Sequence, residues 1–377
     1  MKRFLVEPQA VAMEERGAIE RVRMAPTLSV LTRRRWAMTL LVLSVVSLLV
    51  GLFSLHFGTE SIGPMQAISI LWQTFRDGGT SLESADPTAV ILLHLRLPRV
   101  LLAFIVGGSL AAVGTALQAM LRNPLADPYV LGISSGAALG AALAILLGLE
   151  ASLLAFSTLP LCAFGGGLLA LAIVYRVATS SGALPVQTLL LAGVILNAIF
   201  SALIMFVTSM MSPSRSFAMT GWLMGTLTAP GYPALAILAI YFTGGGLMLL
   251  GQARALNLLT LGEESAKSLG IEVERVKRTI FIVSALLTGA VVSVSGLIGF
   301  IGMIVPHAVR MLVGPDHRLL LPASVLVGGA FLTAADAVAR SVLAPSEIPV
   351  GVITALVGGP CFLYFLICRK GGLSFSW

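Results

Sequence analysis

Arginine beside long apolar runs is the first chemistry this chain offers. Arg96 and Arg99 stand in LRLPRVLLAFIVGG, at the head of one apolar run, and Arg340 closes another in AADAVAR, with Asp336 four residues before it. A charge at the centre of a bilayer costs at least ~2.5–3.5 kcal/mol. At a helix end the head group reaches water and the cost is far smaller. The planar guanidinium fork holds carboxylates and phosphates bidentately. Two uses therefore fit these arginines: gripping acidic groups of a partner, or anchoring on lipid head-group phosphate. Asp336 is also in i,i+4 register with Arg340, a pairing worth a few tenths of a kcal/mol on an exposed helix.

The longest internal polar stretch is GQARALNLLTLGEESAKSLGIEVERVKR, residues 251–278. Within it GEESAKSLG reads as a short helix. Glu263 and Glu264 fall in its first turn, where the dipole favours acids, and Gly270 stops it. A solvated connector and a docking element for a partner both fit. No Gly-x-x-x-x-Gly-Lys-Ser/Thr phosphate loop occurs, and no hydrolase nucleophile motif. Cys162, Cys361 and Cys368 lack metal-ligand spacing and read as small buried apolar residues. No metal site and no bound cofactor is expected. Gln118, Asn197 and Asp336 are too few polar groups for a proton relay through a membrane. The chain carries no visible energy source of its own.

The elements that must position these residues are membrane helices. Of 377 residues, 57% are hydrophobic and 11% charged, against about 25% charged in soluble domains. The mean hydropathy is +0.97. The apolar stretches are too long and too continuous for barrel strands. The net charge of +7 is what basic cytoplasmic loops produce, so nucleic acid is not an expected partner. Spans of roughly 20 apolar residues are expected at Trp36–Phe57, Leu97–Leu121, Ser134–Leu149, Leu153–Val177, Val186–Val207, Tyr232–Leu250, Thr279–Val313, Leu319–Ala339 and Ile348–Ile367. The stretch Thr279–Val313 is too long for one span and contains SGLIGFIGMIVP, whose Gly296, Gly299, Gly302 and Pro306 permit a break. Splitting it near Gly299 gives ten crossings.

Parity agrees with the split. Arg33–Arg35 before the first span and Arg369–Lys370 after the last both belong on the cytoplasmic side, which requires an even number. The inner loops then hold Arg122, Arg176, Arg254, Lys267, Arg275, Lys277, Arg278 and Arg318. The outer side holds Arg76, Arg96, Arg99, Arg215 and Arg340. Residues 1–30, of mixed charge and without the short apolar core of a secretory signal, read as a mobile cytoplasmic extension. Residues 31–377 read as one transmembrane domain.

Gly132, Gly136 and Gly140 recur at four-residue spacing with Ala144 and Gly148, a ladder of small residues that lets another backbone approach. Pro98, Pro185, Pro230, Pro306 and Pro349 near span ends point to broken helices packed in a bundle. SLAAVGTALQAM in the second span echoes AVVSVSGLIGFIGM in the seventh; on this topology the two run in opposite directions, as in inverted repeats.

The motifs RLPR, NPLADPYVLGISSGAALG, LLLAG, GEESAKSLG, GFIGMIVPHAVR, DHRLLLP and SEIPVGVITALVGGP, in this order, resemble the permease family of ABC importers for iron–siderophores, cobalamin and haem. The likeness covers about Trp36 to Lys370. It implies an all-α integral membrane protein of ten helices in a bacterial inner membrane. Both termini would be cytoplasmic, and the subunit would pair with a second copy or a close homologue. It further implies two cytoplasmic ATPase subunits that hold the ATP, and a periplasmic or lipoprotein binding protein above. On the matching motifs, Arg96, Arg99 and Arg340 would meet acidic residues of the binding protein. Gly262, Glu263, Glu264, Ala266, Leu269 and Gly270 would sit in a groove of the ATPase. The helix from Val186 and the segment Ser214–Gly225 would line the pathway, with Val186 and Gln187 at the inner gate, where the family often has small hydroxyl residues. Asn197, Met205, Met210 and Met211 are candidate pathway residues, since flexible thioethers suit weak contact with a bulky substrate; ordinary packing also accounts for each Met. An iron–siderophore is the expected substrate, with cobalamin or haem as alternatives. An ion-driven secondary transporter or a purely structural membrane subunit are the competing classes.

Overall fold

The computed structural model describes residues 32–58, 62–76, 87–149, 152–153, 156–179 and 184–370. Residues 1–30, expected as an extension, lie outside the described residues. Two units partition the chain, Met1–Ala37 and Met38–Trp377, and the helical bundle is the second.

In chain order the helices are α1 (Arg33–His56), α2 (Pro64–Arg76), α3 (Pro87–Leu121), α4 (Ile133–Leu147), α5 (Thr158–Ala178), α6 (Val186–Ser209), α7 (Pro213–Leu223), α8 (Tyr232–Gly251), α9 (Ala253–Leu259), α10 (Glu263–Ser268), α11 (Val273–Ser295), α12 (Ile301–Val313), α13 (His317–Ser341) and α14 (Val350–Lys370). Each expected span falls on an apolar helix. Seven of these are long and apolar enough to cross a membrane, namely α1, α3, α5, α6, α8, α11 and α13. The apolar helices α4, α12 and Val350–Tyr364 of α14 are shorter. Between α4 and α5, Ser152–Leu153 pairs antiparallel with Phe156–Ser157, a small departure from an all-helical reading.

Burial sorts the helices. In α3 nearly every residue from Leu102 to Leu121 is buried, so the helix is apolar all round and sits at the centre of the bundle. Helices α11 and α13 are also largely buried, whereas α1 exposes Leu41, Val45, Leu48, Leu49 and Phe53. That distribution suits a bundle whose outer helices face lipid.

Close crossings fix the centre. A Cβ on Gly114 would collide with the Gly302 carbonyl, so α12 crosses α3 backbone to backbone. Gly107 meets Gly328 of α13 in the same way. With no hydrophobic drive between helices in lipid, such small-residue contacts supply the packing attraction.

The split placed near Gly299 is present. Helix α11 ends at Ser295 and α12 starts at Ile301, with Gly296 at φ 65° and Phe300 at φ 71°. Gly296 faces the Trp222 carbonyl so closely that a side chain would not fit.

The glycine ladder is partly as expected. A Cβ on Gly136 would lie 2.5 Å from the Gly166 oxygen of α5, and one on Gly140 would lie 2.1 Å from the Cys162 oxygen. Gly132 plays another part: at φ 80° it precedes α4 in the left-handed region and faces Gly193 and Leu196 of α6. Cys162 and Cys361 are half-buried rather than buried.

Helix α2 was not expected. Its Ala67 and Ile70 are buried, Met65, Ile68 and Trp72 form an exposed apolar stripe, and Gln66, Ser69, Gln73 and Arg76 form a polar one.

Candidate functional site

Two polar clusters lie at opposite ends of α3. The first gathers the three arginines. Helix α3 widens into a π-helical stretch at Ile91–Arg96, which precedes Arg99 by less than one turn. Arg99 donates from Nε and Nη2 to Asp336 Oδ1 at 3.0 and 2.9 Å, and from Nη1 to Glu347 Oε2 at 2.9 Å. Asp336 also accepts from Arg340 Nε at 2.9 Å, the expected i,i+4 pair. Arg340 continues to the carbonyls of Phe57 and Ser54. Arg96 donates to the Leu55 carbonyl at 2.8 Å.

Arg96 and Arg340 are each 5% exposed, and their donors serve the chain's own carbonyls and Asp336. Of the three arginines, Arg99 has the accessible face, and that face holds Glu347, half of whose side chain is exposed. Glu347 is absent from the expected set: it lies 248 residues from Arg99, so no local pattern pairs them.

The second cluster surrounds α10. Gly262 at φ 116° opens the helix and Gly270 at φ 82° follows it. The Gly270 N–H donates to the Lys267 carbonyl and the Ile271 N–H to the Ala266 carbonyl, the paired bonds that close a helix on a left-handed glycine. Ala266 is fully buried, whereas Glu264, Ser265, Lys267, Ser268 and Leu269 are exposed. Leu261 and Leu269, at the two ends of the helix, are 63% and 60% exposed. Arg122, in the left-handed conformation at the end of α3, lies alongside Gly262.

Lys277, whose sequence position shows only a loop charge, joins this cluster to the chain entering α6. Its Nζ donates to Glu274 at 2.7 Å, to the Leu184 carbonyl at 2.9 Å and to Glu263 at 3.3 Å. At the same end, Asn257 of α9 donates to Asp316 Oδ1 at 2.8 Å and accepts from the His317 N–H. Arg318 adds a bidentate pair to Asp316. Burial pushes the Asp316 carboxyl up, but the hydrogen bonds from Arg318 and Asn257 outweigh it and hold it at about 2.

The expected pathway residues divide. Gln187 and Met205 are exposed on α6, Met210 is exposed just after its end, and Val186 is half-buried at its start. Met211 packs against the Ala138, Ala142 and Met219 cluster. Asn197 accepts from Ser135 Oγ at 2.6 Å and donates to the Tyr129 carbonyl at 3.1 Å. Gln118, fully buried, donates to the Met303 carbonyl at 3.0 Å and accepts from Arg310. Gln118, Asn197 and Asp336 thus each fasten one helix to another. The buried side of α6 is Leu189, Gly193, Leu196, Phe200, Ile204 and Val207. Its other side exposes Leu191, Val194, Ile195, Ile199, Leu203 and Phe206. Among the described residues no group of three or more His, Cys, Asp or Glu is placed to hold a metal ion.

Comparison with known proteins fits this architecture. Residues 45–368 match the FecCD transport family. The chain is 47% identical to a cobalamin import system permease protein of Halobacterium salinarum, over 76% of this chain and 75% of that one. It is 41% identical to a hemin transport system permease protein of Yersinia pestis, over 86% and 95%. An iron(3+)-hydroxamate import system permease protein of Bacillus subtilis is 34% identical over 87% and 97%. A solved ABC transporter of metal-chelate type, in an inward-facing conformation, superposes with a TM-score of 0.73 at 32% identity, covering 88% of this chain and 99% of that one. The chain belongs to the FecCD transport family, as the permease subunit of an ABC importer.

Proposed function

We propose that this subunit conducts a bulky metal chelate across a bacterial inner membrane, by alternating access imposed by two cytoplasmic ATPase subunits. In this reading the chain crosses ten times, with both termini and α10 in the cytoplasm and the arginine cluster outside. A second copy closes on the exposed apolar side of α6, and the chelate passes between the two copies, with Val186 and Gln187 at the inner end. Met205 and Met210, on the exposed side, offer it soft and weakly binding contact.

The observation that carries the reading is α10. A six-residue helix with its Ala266 side buried presents Leu261 and Leu269 to solvent at a polar end of the bundle. Exposed leucines at both ends of one short helix suit a surface that a partner covers. With no phosphate loop in the sequence, the covering partner is the source of energy. At the other end, an acidic lobe of a binding protein meets Arg99, while Arg96 and Arg340 hold the outer ends of α1, α3 and α13 in place beneath it.

For the substrate, the hydroxamate permease at 34% identity stands below the cobalamin and haemin permeases at 47% and 41%. This order favours a cobalamin or haem chelate over the iron–siderophore expected from the sequence. The test is uptake of labelled cyanocobalamin, haemin and a ferric hydroxamate into vesicles holding the complete transporter with its binding protein. Uptake of one of the first two is expected. Uptake of the hydroxamate alone returns the siderophore reading, and uptake of none of the three overturns the chelate class.

A further inference from the structure

The geometry points to Lys277 as the positioning residue that makes α6 follow α10. This rests on the reading that the α10 end meets the ATPase, and deepens it. An ammonium has three N–H donors, and those of Lys277 have three acceptors on three segments. Glu274 lies one turn earlier on α11, Glu263 is the first residue of α10, and the Leu184 carbonyl stands two residues before α6. The side chain is 3% exposed, so water does not compete for these donors.

Leu184 is held from both sides. Its N–H donates to Glu274 Oε2 at 2.8 Å while its carbonyl accepts from Lys277. Pro185, which follows, has no N–H to donate and sits extended at ψ 128°. The backbone leading into α6 is therefore fastened to α11 by side chains, and through Lys277 to Glu263. A displacement of α10 that carries Glu263 pulls on the same ammonium that holds Leu184, next to Val186 and Gln187. Without Lys277, Glu263 and Glu274 become two carboxylates with no shared cation, and the Leu184 carbonyl loses its donor.

The experiment uses the full transporter with its ATPase subunits in lipid nanodiscs. Spin labels are placed at Ser268 in one preparation and Gln187 in another, both exposed positions. Distances between the two copies are read by pulsed electron spin resonance, without nucleotide and with ATP and vanadate. With Lys277 present, both distances shift. In Lys277→Met the Ser268 shift remains and the Gln187 shift is lost; Lys277→Arg restores it. A Gln187 shift of full size in Lys277→Met overturns the inference. If Lys277→Met does not assemble, Lys277→Gln serves instead, since it removes the charge that Glu263 and Glu274 share while keeping an N–H donor. It is expected to shrink the Gln187 shift alone, and a full shift overturns the inference. A Ser268 distance that ignores nucleotide with Lys277 present overturns the ATPase-docking reading itself, an outcome distinct from the loss of Lys277 coupling.

Discussion

Asp336→Asn is the substitution whose cost the structure sets most directly. The carboxylate is 1% exposed and lies between two guanidiniums, with Arg99 at 2.9 Å and Arg340 at 2.9 Å. At an effective dielectric of about 20, each pair with charge centres near 4 Å is worth about 4 kcal/mol, so the two together approach ~8 kcal/mol. Burying the carboxylate takes back several kcal/mol. The net loss on neutralising Asp336 is ~3–5 kcal/mol, the usual size for removing one partner of a buried charge cluster. The isosteric amide keeps the volume, so the loss reads charge rather than packing. Reversible unfolding in mixed detergent, followed by tryptophan fluorescence, measures it. Val338→Ala, an exposed position on the same helix, is the control. Asp336→Asn combined with Arg340→Gln removes one cation as well and recovers part of the loss. An Asp336→Asn protein within about 1 kcal/mol of the control would refute the assignment of these arginines to an internal network.

Three further outcomes follow from other parts of the bundle. Gly114→Ala forces a methyl into the Gly302 carbonyl and costs at least ~1–3 kcal/mol, whereas Gly244→Ala, with open space at its Cβ, gains up to about 1 kcal/mol; paired unfolding curves compare them, and equal effects would contradict the crossing. Asp316, held at about 2 against an ordinary 3.8, contributes stability that is complete above about pH 4 and lost as pH falls through about 2. Asp316→Asn should flatten the thermal stability profile over that acid window, and an unchanged slope would rule out the Arg318 and Asn257 bonds as its cause. Trp72 is expected in the lipid interface, because Met65, Ile68 and Trp72 form one exposed stripe of α2 beside a polar one. With the other tryptophans changed to Phe, brominated lipids should quench it, and quenching by aqueous acrylamide alone would place it in water.

How much of this was legible in the sequence depends on whether a feature is local. The apolar spans, the break near Gly299, the Gly136–Gly140 ladder, the α10 helix with its Gly270 stop and the Asp336–Arg340 pair all arise within a few turns of chain. The partners of Arg99 and Lys277 do not: Glu347 lies 248 residues from Arg99, and Leu184 lies 93 residues from Lys277. A charge near a span end looks the same in sequence whether it faces a partner or the chain's own carbonyls. Arg96 and Arg340 therefore read as outward groups, and only the packing of α1 against their ends shows them buried. Helix α2, of 13 residues, is too short for a span, and its three stripes emerge only once the side against the bundle is known.

A conduit moved by its partners must be inert without them. In the interior Gln118, Asn197 and Asp336 each fasten one helix to another. The decisive measurement is chelate accumulation in sealed vesicles containing this protein with its binding protein, with and without the ATPase subunits, at fixed ion gradients. Accumulation that requires both the ATPase subunits and hydrolysable ATP is the predicted result. Accumulation with this chain as the sole membrane component, driven by an ion gradient, would contradict the account.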